Sequence, residues 1–230
     1  YLVGRGFTEI LTNSITNSAY FSEEVLQSSV KMLNNLSAEL DVMRPSMLET
    51  GLETIAYNLN RQNNAISFFE IGKVYGKSNA GKYFESEQLA LYISGKQLAD
   101  GWRTKGTDQD YFVAKGIAIA LLELLGIEGV QEKSTSNGLT ELVWSKKTLG
   151  QIEMMGAKKL QAFGIKQPVY YIQFDLAALL NAYQSKKVKY QEVSKYPSVE
   201  RDLALVIDKT TAYAAIQACI SDAKLTALIA

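Results

Sequence analysis

MRPSMLETGLETIAYNLNRQNNAISFFEIGKVYGK, residues 43–77, joins an arginine, a helix and a strand in one short run. Ser46-Met47-Leu48-Glu49 has the S-x-x-E spacing in which serine and glutamate satisfy free amides at a helix start. Met47, Leu48, Leu52, Ile55, Ala56 and Leu59 then fall on one stripe of that helix. Asn60, Asn63 and Asn64 close it, and FFEIGKVYG (68–76) has the aromatic and β-branched content of a strand. QLALYISGK (88–96) reads as its antiparallel partner, with GKSNAGKYFESE as a long turn between them.

Working outward, FTEILTNSIT (7–16) reads as one strand and AYFSEEVLQSS (19–29) as a short helix. VKMLNNLSAELDVMR reads as two extended pieces around Asn34-Asn35. DYFVAKGIAIALLELLG (110–126) is a helix apolar on most faces, with Asp110 as N-cap and Gly126 as stop, and so belongs against a sheet. ELVWSKKTLGQIEMMG (141–156) gives two strands around Ser145-Lys146-Lys147. AKKLQAFG is a helix, VYYIQFD (169–175) a strand and LAALLNAY (176–183) a helix. Long helices beside mostly antiparallel hairpins make an α+β fold.

Composition excludes several chemistries. Basic and acidic residues are equal at 24 each, without the basic excess of a chain that binds nucleic acid by phosphate neutralisation. Histidine is absent, which removes Ser-His-Asp and Cys-His catalysis and histidine zinc sites. The single cysteine, Cys219, has no intrachain disulfide partner and reads as a packed residue of an apolar helix, in a reducing compartment. No apolar run approaches the ~18 residues of a membrane span, and no signal peptide is legible at Tyr1-Leu2-Val3-Gly4-Arg5. The expectation is a segment of a longer cytoplasmic protein.

SKKVKYQEVSKYP (185–197) is polar and ends in proline, and reads as a linker. Beyond it RDLALVID reads as a strand and TAYAAIQACISDA as a helix, too little for a core.

NNLSAELDVMRPSMLETGLETIAYNLNRQ followed by FFEIGKVY resembles the β subunit family of bacterial phenylalanyl-tRNA synthetase, as do DYFVAKGIAIALLELLG and YYIQFDLAALL further along. KYPSVERDLALVID resembles the opening of the family's ferredoxin-like anticodon-binding domain. The resemblance implies a class II synthetase-like antiparallel sheet flanked by helices over 1–190 and the start of the anticodon-binding domain over 191–230. It implies an α2β2 enzyme that joins phenylalanine to its tRNA with ATP and magnesium, with catalysis in the α chains.

Class II sites grip ATP phosphate with an arginine from the motif 2 strand-loop and another from the motif 3 helix, where guanidinium charge meets phosphate oxygens. The motif 2-like strand here is Phe69-Glu70-Ile71-Gly72-Lys73-Val74-Tyr75, and Gly76 stands where the α chain has its arginine. The motif 3-like run Tyr171–Leu180 has neither the glycine that admits a ligand nor an arginine at the helix start. Lys73 and Lys77 read as point charges for phosphate or as solvated edge lysines. The family's His-Pro-Gly stretch is also missing from SNGLTELVW. The segment is therefore expected to hold no catalytic, cofactor or metal site.

Further residues read two ways. Tyr1, Leu2, Val3 and Phe7, at the end of a motif 1-like helix, read as contacts to the α subunit or as packing under the sheet. Arg44 reads as an anchor toward that subunit, or as an extended residue before Pro45 tied to Asp41 or Glu49. Lys186, Lys187, Lys189 and Arg201 read as contacts to tRNA-Phe or as a solvated linker, since 185–209 sets six basic residues against Glu192, Glu200, Asp202 and Asp208. Beside the structural role stand a residual nucleotide- or amino-acid-binding domain and an independent tRNA-binding module.

Overall fold

The computed structural model describes every residue except 36, 136–137, 186–189, 191, 193–194, 196, 198 and 224–230. The chain divides into two units, Tyr1–Val188 and Lys189–Ala230.

The run 7–16 is not one strand. It forms β1 (Thr8–Glu9) and β2 (Ile15–Thr16), which belong to different sheets. Asn13 divides them, its side-chain carbonyl accepting the Ile15 amide at 3.1 Å in a local turn. Helix α1 (Glu23–Gln27) follows, and β3 (Val42–Met43) returns to pair with β2. In α2 (Leu48–Leu59) the expected cap is half formed. The Ser46 hydroxyl accepts the Leu48 amide at 3.0 Å, but Glu49 turns away to an ion pair with Lys159. Met47, Leu52 and Ile55 of the apolar stripe are fully buried. Gln62, in the left-handed region at φ 65°, reverses the chain after the helix.

β4 (Ile66–Lys77) and β5 (Tyr83–Ser94) pair residue for residue along their length, so the hairpin is longer and its loop shorter than the sequence suggests. Gly81, at φ +78°, makes the tight turn possible. Asp110 caps α3 (Tyr111–Leu124) as expected, accepting the Val113 amide at 2.8 Å, and Gly126 stands beyond the helix end at φ 67°. β6 (Gln131–Ser134) was not foreseeable from periodicity, because all four residues are exposed. β7 (Leu139–Trp144) and β8 (Lys147–Met154) flank Ser145 and Lys146, both at positive φ as a two-residue hairpin turn of this hand requires. Then come α4 (Ala157–Ala162), β9 (Val169–Asp175) and α5 (Leu176–Ser185).

The large sheet runs β1-β4-β5-β9-β8-β7-β6, with β1 parallel to β4 and every other pairing antiparallel. Alternation sorts its side chains onto two apolar faces. Phe69, Leu89, Leu91, Ile152, Ile172 and Phe174 pack under α3 and α5 through Ala114, Ala118, Leu122 and Leu179. On the other face Phe68, Val74, Ala90, Tyr92 and Tyr171 meet Met47, Leu52 and Ile55 of the α2 region and Leu160 of α4. This is the α+β architecture read from the sequence. No helix among the described residues is long and apolar enough to cross a membrane.

In the second unit α6 (Tyr213–Asp222) forms where a helix was expected. Residues 201–208 form no strand, because a strand needs a ladder partner and the described residues of this unit offer none. Leu203, Leu205 and Val206 are exposed, and Cys219, expected to be packed, is exposed too.

Candidate functional site

The place to look for a phosphate grip is the face of β4, β5 and β9 that carries Gly72. Pairing sets Gly72 beside Gln88 and Asp175, Glu70 beside Ala90 and Gln173, and Phe68 beside Tyr92 and Tyr171. A glycine in the middle of such a strand leaves room above the backbone. Here Arg44 takes that room: a β-carbon at Gly72 would lie 2.2 Å from Arg44 Nη2.

Arg44 is held on all sides. Its backbone amide donates to Ser14 O at 2.9 Å and its carbonyl accepts the Tyr75 amide at 3.0 Å. Nε donates to Lys73 O at 2.8 Å, and Nη1 donates to Glu70 Oε1 at 2.9 Å and Thr12 Oγ1 at 2.7 Å. The Thr12 hydroxyl donates onward to Glu70 Oε2 at 2.7 Å. Arg44 is 2% exposed and Glu70 0%.

The same face is closed further along by aromatic rings. Tyr92 and Tyr171 lie 5.3 Å apart between centroids, and the Tyr92 hydroxyl donates to Met47 O at 2.6 Å. Gly51 of α2 lets the helix settle on Tyr92, since a β-carbon there would stand 2.1 Å from the ring. Burial pushes both phenols well above their ordinary range. At Gly76, where the arginine is missing, the Phe84 ring covers the backbone, 2.5 Å from where a β-carbon would lie. The start of α5 is capped by Asp175, which accepts the Ala178 amide at 2.8 Å. Lys73 points to the opposite face and pairs with Glu85 at 2.6 Å, a bond that raises the lysine's pKa. Lys77 Nζ lies 6.0 Å from the Tyr83 ring centroid.

A second polar group lies at the edge of this face. Lys159 of α4 meets Glu49 Oε1 at 2.6 Å, and Glu153 of β8 stands close enough to feel both charges. Desolvation raises the Glu153 carboxyl above its ordinary value, with Glu49 adding to the rise and Lys159 opposing it. The fold therefore favours the protonated acid, and this residue's contribution is lost as pH climbs from the unfolded value through the folded one. Glu153→Gln is expected to raise the melting temperature at pH 7 and to flatten the fall of stability as pH rises above the ordinary glutamate value. Melting curves across that range measure this, and an unchanged slope would contradict it.

Arg44 is 2% exposed and bonded within the chain; its acid is Glu70, while Asp41 bonds Ser18 at 2.6 Å and Glu49 bonds Lys159. Leu2 and Phe7 lie in the core, whereas Tyr1 and Val3 are exposed. Beside them an open cavity of about 680 Å³ runs between Arg5, Phe7, Ser67, Gln109 and Ile117. Arg201 is exposed, its Nη1 donating to Glu200 O at 3.1 Å. Lys186, Lys187 and Lys189 lie outside the described residues. Glu70 and Thr12 were missed; the available signal was a carboxylate in the middle of an apolar strand, which demands a buried partner.

Comparison with known proteins fits this geometry. The phenylalanine–tRNA ligase beta subunit of Bacteroides thetaiotaomicron is 36% identical over 94% of this chain and 28% of its own length. That of Bacillus subtilis is 31% identical over 97% of this chain and 29% of its own length. The chain thus spans under a third of these relatives. Among solved structures, pyrrolysyl-tRNA synthetase from Desulfitobacterium hafniense superposes with a TM-score of 0.62 at 20% identity, over 80% of this chain and 65% of that one. That likeness establishes a synthetase-like fold. The family model for the phenylalanyl tRNA synthetase beta chain CLM domain matches residues 1–176, and the chain belongs to that family.

Proposed function

We propose that this chain is a non-catalytic structural segment of the beta subunit of phenylalanine–tRNA ligase. In this reading the assembled enzyme is a cytoplasmic α2β2 tetramer that joins phenylalanine to tRNA-Phe with ATP and magnesium. The segment packs against the catalytic α subunit through a surface that includes Tyr1 and Val3. The residues from 191 onward open a ferredoxin-like anticodon-binding domain, and Lys186, Lys187, Lys189 and Arg201 are the proposed contacts to tRNA-Phe.

One observation carries the non-catalytic part: the sheet face that would cradle a nucleotide is filled by Arg44, Tyr92 and Tyr171, with Phe84 over Gly76. Phosphate would meet the Glu70 carboxylate there, and an arginine already committed to it. Sedimentation of the full beta subunit with its α subunit, wild type against Tyr1→Asp/Val3→Asp, tests the assembly role. Co-migration is expected for wild type and weakened association for the variant; equal association would remove these residues from the interface. The chain alone is expected to give no ATP–pyrophosphate exchange and no heat with ATP or phenylalanine. Binding tighter than ~100 μM would favour a residual ligand-binding domain instead.

A further inference from the structure

We infer that Glu70, Thr12 and the Lys73 carbonyl, arranged over Gly72, form a guanidinium-binding site whose built-in ligand is the Arg44 side chain. The chemistry of the walls is matched to one kind of cation. Every polar group turned to the guanidinium is an acceptor: a carboxylate at 2.9 Å, a hydroxyl oxygen at 2.7 Å and a carbonyl at 2.8 Å. Two of them meet Nη1 and the third meets Nε, so the site reads the spacing of a planar fork and not a single point charge. The bare backbone at Gly72 supplies the slot in which the flat Nη2 end lies, 2.2 Å from where a β-carbon would stand. An ammonium fills neither the slot nor the two-sided acceptor set.

The walls of the site are also held by contacts that do not involve the Arg44 side chain. Glu70 and Gly72 belong to β4, whose register with β5 is unbroken. The Thr12 amide donates to Glu70 Oε1 at 3.2 Å. The backbone at position 44 is tied to Ser14 and Tyr75 whatever side chain it carries. Shortening the side chain therefore leaves a cavity with a buried carboxylate at its base and a planar opening above a glycine. Such a cavity selects free guanidinium over sodium or an alkylammonium.

The test is chemical rescue of Arg44→Ala in the full chain, read as melting temperature. The probes are guanidinium chloride and methylguanidinium chloride at ~50 mM, with sodium chloride and methylammonium chloride at the same concentration as controls. At about five times the dissociation constant, the variant is expected to gain ~2–4 °C from either guanidinium salt and nothing from the controls. The wild type gains nothing from any of them. Arg44→Ala/Glu70→Gln is expected to lose the response. Equal behaviour of Arg44→Ala in guanidinium and sodium overturns the assignment. Arg44→Lys provides a second readout that needs no rescue: it keeps the charge but loses the fork, and a lysine variant as stable as wild type also overturns it.

Discussion

Replacing Glu70 by alanine is expected to destabilise the first unit by about 3–5 kcal/mol, because it leaves a guanidinium buried without its counter-charge. Arginine cannot escape by losing its proton. Neither can it reach solvent, with its carbonyl and amide held by Tyr75 and Ser14 and its side chain 2% exposed. The loss extends to Thr12, whose amide and hydroxyl both donate to the Glu70 carboxylate. The ion pair is not thereby a net source of stability. Burying both charges costs desolvation free energy that their attraction only roughly offsets, so Arg44→Met with Glu70→Leu is expected to lie much closer to wild type than Glu70→Ala does. Urea unfolding of the single and double variants measures the coupling directly. A Glu70→Ala midpoint close to wild type would show that the pair does not hold residues 42–44 against β4.

What the sequence disclosed and what it hid divide along one physical line. Features set by neighbours in sequence were legible: the Asp110 cap, the α2 stripe, the turn at Ser145-Lys146, and the strand-to-helix passage from β9 to α5. The glycine at position 76, where the resemblance leads one to look for an arginine, was legible too. Hidden were the choices made across the sheet. Arg44 was matched to acids near it in sequence, yet its partner lies 26 positions on, brought beside it by β4. Glu49 fits a capping box but meets Lys159, 110 positions on, because the buried carboxylate gains more from a charged partner than from an amide at a helix end. β6 has no apolar residue to announce it, as an outermost strand exposed on both faces need not. The filled face was the least legible of all. It depends on Gly51 and Gly72 accepting Tyr92 and Arg44, two contacts between segments that local pattern does not relate.

That filling gives the second large effect. Tyr92→Ala is expected to cost about 3–5 kcal/mol, the range for removing a fully buried aromatic and leaving its cavity. The cavity has little means of collapse: it is bounded by Gly51, which has no side chain to move in, and by the Tyr171 ring across the β5–β9 pairing. Tyr92→Phe separates ring from hydroxyl. Met47 O also accepts from Thr50 Oγ1 and the Gly51 amide, both at 3.2 Å, so loss of the phenol leaves it partnered and costs only about 1 kcal/mol. Urea titration distinguishes the two, and equal losses would place the contribution in the hydroxyl instead of the ring. The variant also tests whether space or charge would keep a nucleotide off this face. Emptying the Tyr92 position creates room on the sheet but leaves the Glu70 carboxylate and its committed arginine in place. ATP is therefore expected to give no heat with Tyr92→Ala in calorimetry. Measurable binding would mean that packing alone had closed a face still able to hold phosphate.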